Sequence, residues 1–147
     1  MFKFRLQSVL DHRKRQEQEK QREVALVNAE QFLARGVLAT LEEGRAENAA
    51  ALTALLGTAH DPKVLRLYDD FLQGRDADIR WKTRELEQIG ERLRAKQLEL
   101  QEYLRRRKAL EIYRARMKEA YEKEEKRREV KFTDEVAQMM WFREQVQ

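Results

Sequence analysis

A single proline, Pro62, falls where the turn-forming residues of the chain gather, in the run Gly57, Thr58, Ala59, His60, Asp61, Pro62. Gly57 can take the left-handed conformation that closes a helix, and Asp61 can accept from the free amides of the helix that follows. Proline fits a first helical turn because its missing N–H would find no partner there. The run therefore reads as a helix stop followed by a helix start, with the connection at about 57–62. One proline and five glycines in 147 residues leave too few turns for a many-stranded sandwich or barrel. Charged residues make up 39% of the chain, against about 25% in an ordinary domain. Hydrophobic residues at 41% are too many, and too regularly placed, for disorder.

That regular placement is a heptad seam on both sides of the proline. Before it, Leu6 and Leu10 open a pattern that resumes at Val24, Val27, Gln31, Ala34, Leu38 and Leu41, then Leu52 and Leu55, in alternating steps of three and four. After it come Leu65, Tyr68, Leu72, Ile79, Leu86, Ile89, Leu93, Leu100, Tyr103, Leu110, Met117 and Tyr121 on the same rule. The expected fold is all-α: two long helices, about 4–57 and about 63–140, forming an antiparallel coiled-coil hairpin as a single elongated unit over 1–147. Its core is expected to hold Val27, Ala34, Leu41, Leu52 and Leu55 of the first helix and Leu65, Leu72, Ile79, Leu86, Ile89, Leu93 and Leu110 of the second.

Pairing the seams outward from the turn brings together positions whose numbers sum to about 120, such as Leu55 with Leu65, Leu41 with Ile79 and Ala34 with Leu86. The second helix then overhangs by about 24 residues, or about 36 Å. The same register sets Arg45 opposite Arg75 and Arg13 opposite Arg107, and puts Lys20, Lys82 and Lys96 on the seam. Such layers weaken a coil, softened where aliphatic stems cover the seam and the charges reach water. Gly44 and Gly74 come almost level near the turn, where bending or local opening is expected. Outside the seam, Glu102 to Arg106, Glu119 to Lys123, Glu122 to Lys126 and Glu124 to Arg128 have the helical ion-pair spacing.

The inventory for chemistry is poor. There is no cysteine, one serine (Ser8) and two histidines, His12 and His60, at separate places in the pattern. Zero cysteine excludes disulfides, thiolate metal sites and thiol nucleophiles. No phosphate-cradling glycine motif is present, and a two-helix rod offers no dry cavity to separate the pKa values of paired carboxylates. The expectation is no enzyme, no cofactor and no metal. The N-terminus meets a charge after each apolar residue or two, unlike a secretory signal, and the longest uncharged run, 48–60, is short of the roughly 18 residues of a membrane span. A cytoplasmic protein without direct membrane insertion is expected.

Charge and exposed apolar residues are unevenly spread. Residues 1–22 hold seven basic and three acidic side chains, 103–131 hold twelve and six, and 40–79 hold four and eight. Folding the hairpin puts the basic segments together and leaves the turn end acidic. Interspersed acids and the lack of a reader motif argue against nucleic acid as the partner. Phe32, Leu33, Val37, Leu67, Phe71, Trp81, Ile112 and Tyr113 miss the seam; Phe71 and Trp81 are the better contact candidates. Phe132, Val136, Met139 and Met140, followed by Trp141 and Phe142, give the overhang an apolar face that must fold back or enter a groove of another protein.

The opening FKFRLQSVLDHRKRQEQEKQ, the LRLYDDFLQ after the connector and the late RRKALEIYRARMKEAYEKEEKRREVKFTDEVAQM resemble the FliJ family of flagellar export proteins over the whole chain, with injectisome stalk proteins as near relatives. The resemblance implies a non-catalytic, central-stalk-like coiled coil of the type III export apparatus, peripherally associated with it at the inner membrane. Its implied partners are a hexameric export ATPase, a membrane export gate protein and export chaperones. Leu6, Leu10, Arg13, Arg106, Arg107, Phe132, Val136 and Met140 would serve the ATPase ring, and Tyr68, Phe71 and Trp81 the gate; Arg75, Asp78 and Lys82 depart from the family pattern near Phe71. A general coiled-coil scaffold or adaptor and an injectisome stalk protein stand as the alternatives, with a nucleic-acid-binding rod behind them.

Overall fold

The computed structural model describes residues 1–58 and 61–145. Its described secondary structure is two helices, α1 at Gln7–Leu56 and α2 at Pro62–Gln145, and together they form an antiparallel hairpin. The stop and start have different chemistries. No described glycine has a positive φ, so Gly57 does not close α1 in the left-handed conformation. Thr58 closes the helix by hydrogen bonding: its backbone N–H and its hydroxyl both donate to the Leu55 carbonyl, at 3.1 and 3.0 Å. Asp61 caps α2 as its position suggests, its carboxylate accepting from the Lys63 amide at 2.9 Å. His60 lies outside the described residues.

At the other end, α1 begins at Gln7 rather than about residue 4. Phe2 and Phe4 are spaced by two, a strand period, so both rings face the same way only in extended chain. They lie against α2, with ring centroids 5.8 Å from Tyr121 and 6.1 Å from Tyr113 respectively.

Contacts divide the chain into two compact units: unit 1 is 1–17 with 102–147, and unit 2 is 18–101. Within unit 2 the antiparallel register shows in the bridges from α1 to α2: Lys20 to Glu99 at 3.0 Å, Lys96 to Glu23 at 2.8 Å, Arg92 to Glu30 at 2.6 Å and Arg45 to Asp76 at 2.8 Å. Ala34, Leu72 and Ile89 are buried, and Val27, Leu41, Leu52, Leu55, Leu65, Ile79, Leu86 and Leu93 are half-buried. In unit 1 the buried residues are Leu10 and Glu17, with Leu110 half-buried.

The expected confrontations of like charge do not occur, because three of the four arginines reach a carboxylate and the fourth reaches a side-chain amide. Arg45 pairs with Asp76, while Arg75 turns to Asp78 at 3.8 Å. Arg107 pairs with Glu17, while Arg13 donates to Gln16 at 3.3 Å. Neither Gly44 nor Gly74 interrupts its helix. Three of the four anticipated surface pairs form, Arg106–Glu102, Lys123–Glu119 and Arg128–Glu124, while Glu122 joins Lys118 instead.

Candidate functional site

Unit 1 is a short paired segment that continues as an unpaired one. Its paired part is sealed by Leu10, 0% exposed, and by Glu17, 6% exposed. Arg107 donates to Glu17 through Nε and Nη2, and its Nη1 donates to Glu111 at 2.6 Å. These carboxylates, Glu17 foremost, hold the guanidinium pKa above its ordinary value. The first residues form a clasp: the terminal ammonium donates to the Tyr121 hydroxyl at 2.9 Å, and that hydroxyl donates to Glu125. Phe2, Phe4, Leu6, Tyr113 and Met117 line a cleft of about 290 Å³ edged by Lys3 and Arg5.

Past Tyr121, α2 runs on to Gln145 with its side chains almost all in water. Phe132, Val136, Met139 and Met140 share one face by their spacing, and Phe132, Met139 and Met140 are exposed, as are Trp141 and Phe142. Trp141 and Phe142 meet edge to face at 5.3 Å. This face does not fold back onto the N-terminal segment. Unit 1 carries 18 basic and 12 acidic side chains, a net +6, and unit 2 carries 13 and 15, a net −2. An amphipathic helix rich in Met, Phe and Trp beside a basic surface has the chemistry to enter an apolar groove with an acidic rim.

The residues anticipated for a partner surface therefore separate. Leu6, Phe132 and Met140 are exposed, whereas Val136 is half-buried and Leu10 is sealed inside the hairpin. Arg106 pairs with Glu102 and lies over the Tyr103 ring at 5.5 Å. Arg107 and Arg13 are half-buried and bonded within unit 1. Phe2, Phe4 and Glu17 were missed by a search for apolar residues at heptad steps. The period-two FKF and a carboxylate at the heptad step between Leu10 and Val24 were their signals.

In unit 2, Phe71, Tyr68 and Leu67 form a shallow groove of about 300 Å³ with Asn48. Phe71 is 43% and Trp81 64% exposed. Arg75 stands 5.1 Å above the Phe71 ring and Lys82 5.0 Å above the Trp81 ring, so a cation covers one face of each aromatic side chain.

Among the described residues no cluster of histidine and carboxylate side chains could hold a metal ion. One 18-residue window of α1 reaches a mean hydropathy of 1.2, so by length and composition alone this helix is apolar enough to cross a membrane. A family model described as Flagellar FliJ protein matches residues 2–146. No curated protein matches, and no solved structure matches.

Proposed function

This chain belongs to the FliJ family of flagellar type III export proteins, and from that membership we propose that it is the central stalk of the export machine, gripped by the hexameric export ATPase through unit 1. The protein is a non-catalytic part of the flagellar export apparatus. The observation that carries the finer reading is the exposed apolar face at Phe132, Met139 and Met140 on a stretch of α2 whose described side chains are almost all exposed. A helix of this kind is stabilised by docking, and its +6 unit suits an acidic collar.

Within this proposal the residues take different tasks. Leu6, Phe132, Val136 and Met140, with Trp141 and Phe142, meet the ring. Leu10, Arg13 and Arg107 keep the paired part of unit 1 in shape, and Arg106 lies at its rim. The Phe71 groove with Tyr68 and the exposed Trp81 face the export gate, and the remaining hairpin surface is open to export chaperones. The protein works in the cytoplasm at the inner-membrane apparatus. Such a stalk needs no chemistry of its own: a two-helix shaft in a six-fold ring contacts each subunit differently, and differential contact is what biases subunit states.

The test is ATP turnover and ring formation by the purified export ATPase with the full chain and with a chain ending before Phe132. The full chain is expected to raise both, and the shortened chain to lose most of the effect while its hairpin stays folded. Undiminished stimulation by the shortened chain sinks the role of the tail. Failure of the full chain to bind the ATPase at all returns the general scaffold.

A further inference from the structure

The back of α1 in unit 2 carries a second heptad seam that the hairpin does not use. Leu26, Ala29, Leu33, Gly36 and Thr40 follow one another in steps of three and four, on the side of α1 turned away from the buried Ala34. Leu26 is 71% and Leu33 68% exposed. Phe32 and Val37 widen the face, and together with Leu33, Gly36 and Thr40 they line a cleft of about 470 Å³. At Gly36 a side-chain carbon would touch nothing within 4 Å, so a hole stands open one turn from the Leu33 knob. The Thr40 hydroxyl is already spent on the Gly36 carbonyl at 3.0 Å, which leaves its methyl group for packing.

The ends of this seam decide what covers it. Arg22 lies one heptad step before Leu26, and Glu43 and Glu47 continue the steps after Thr40. Neither Arg22 nor Glu47 has an ion pair among the described residues. We propose that this face pairs with the same face of a second copy of the chain, the two α1 helices antiparallel about a two-fold axis. That arrangement seats each Leu33 in the Gly36 hole of the other copy, sets Ala29 against Thr40, lays Leu26 against the aliphatic stem of Glu43, and brings each Arg22 to Glu47 of the other copy. Every layer is made twice, as a two-fold interface requires. A parallel pairing sets Gly36 on Gly36 and Glu47 on Glu47, leaving a gap and a repulsion. A lipid surface is disfavoured because unit 2 is net acidic, and a foreign helix needs no such agreement between the two ends of one seam. The interface lies outside unit 1, so it stands whether or not unit 1 grips an ATPase.

Sedimentation velocity on the full chain over about 1 to 300 µM tests the pairing without any partner present. The mass is expected to double with concentration. Leu33→Glu, at a position exposed in the hairpin and checked for helicity, is expected to raise the dimer Kd at least about tenfold. Arg22→Glu and Glu47→Arg are each expected to raise it about three- to tenfold, and the double reversal to return it near the parent value. A single-chain mass across the whole range overturns the proposal, as does a dimer indifferent to Leu33→Glu. A double reversal no better than its singles rejects the two-fold register. A dimer lost when the chain ends before Phe132 assigns association to the tail. Co-sedimentation with phosphatidylglycerol vesicles that Leu33→Glu abolishes, with the mass staying single, makes the face a lipid face.

Discussion

The two units solve the same problem, charge on a coiled-coil seam, in opposite ways. In unit 2, Lys20 and Lys96 lie on the seam but stretch outward to share Glu23 and Glu99, so the charges stay wet and Ala34, Leu72 and Ile89 are left to pack. In unit 1 the charge goes inside: Glu17 is buried with Arg107 on it, and among the described residues of this unit Leu10 is the one fully sealed apolar side chain. Apolar packing holds unit 2 at several layers, and unit 1 depends on very few groups. Local opening is therefore expected to cost least in unit 1, the part proposed to be gripped and released.

Removing one sealed leucine or isoleucine from each unit tests this most severely. Leu10→Ala and Ile89→Ala are each expected to cost about 2–5 kcal/mol, by lost transfer energy and the cavity left behind. The consequences should differ in extent. Ile89→Ala leaves Ala34 and Leu72 in place, so amide exchange should accelerate near residue 89 and across the facing part of α1. Leu10→Ala removes the only such group among the described residues of unit 1, so protection should fall throughout residues 7–17 and 102–121. Equal, local losses at both sites would erase the contrast.

The sealed pair comes next. Arg107→Met leaves the Glu17 carboxylate without its main partner in a site only 6% exposed. The expected cost is about 2–3 kcal/mol, below that of a fully desolvated pair because 20% of the Arg107 side chain is in water. Glu17→Met with Arg107→Met should recover most of it, since two apolar side chains need no partner. Urea unfolding of the two single variants and the double variant measures the coupling.

What the sequence made legible, and what it did not, follows the same division. The steps of three and four run through positions that are buried or half-buried in both helices, Leu6 and Met117 excepted, and Asp61 with Pro62 stands at the start of α2, because spacing and capping are local properties. The repulsive layers were misjudged because register alone pairs seam with seam, whereas a long side chain reaches carboxylates beside the seam: Asp76 for Arg45, Glu99 for Lys20. Glu17 escaped because a search for apolar steps treats a carboxylate as a gap, though its place in the repeat was visible. Phe2 and Phe4 escaped because their period is two within a chain read at three and a half. Gly57 marked the end of α1 but not its chemistry, which the Thr58 hydroxyl supplies. The apolar tail was plain in sequence; its exposure beyond the Tyr121 clasp needed coordinates.

The smallest effect expected is also the one that separates the two kinds of charge by titration. In unit 2, bonds from Lys96 and Lys20 hold Glu23 below the ordinary carboxylate value of 4.5, and Lys20 does the same for Glu99. A lowered carboxylate pKa gives stability that is present above 4.5 and lost as pH falls through the folded value. Glu99 and Glu23 in turn hold Lys20 above 10.5, and Glu23 does so for Lys96. A raised ammonium pKa gives stability that is present below 10.5 and lost as pH rises through the folded value. The network should therefore support unit 2 between those limits and fade on both sides, and about 1 M salt should flatten the profile by screening. In unit 1 the cation is a guanidinium, which keeps its charge throughout the workable range, so its sealed pair has no alkaline limb. Thermal melts from acid to alkaline pH, comparing the parent with Lys20→Met/Lys96→Met, check this. The double variant should lose the alkaline decline that the parent shows. An unchanged decline would place its origin outside the network, for example at Tyr121, whose pKa Glu125 raises.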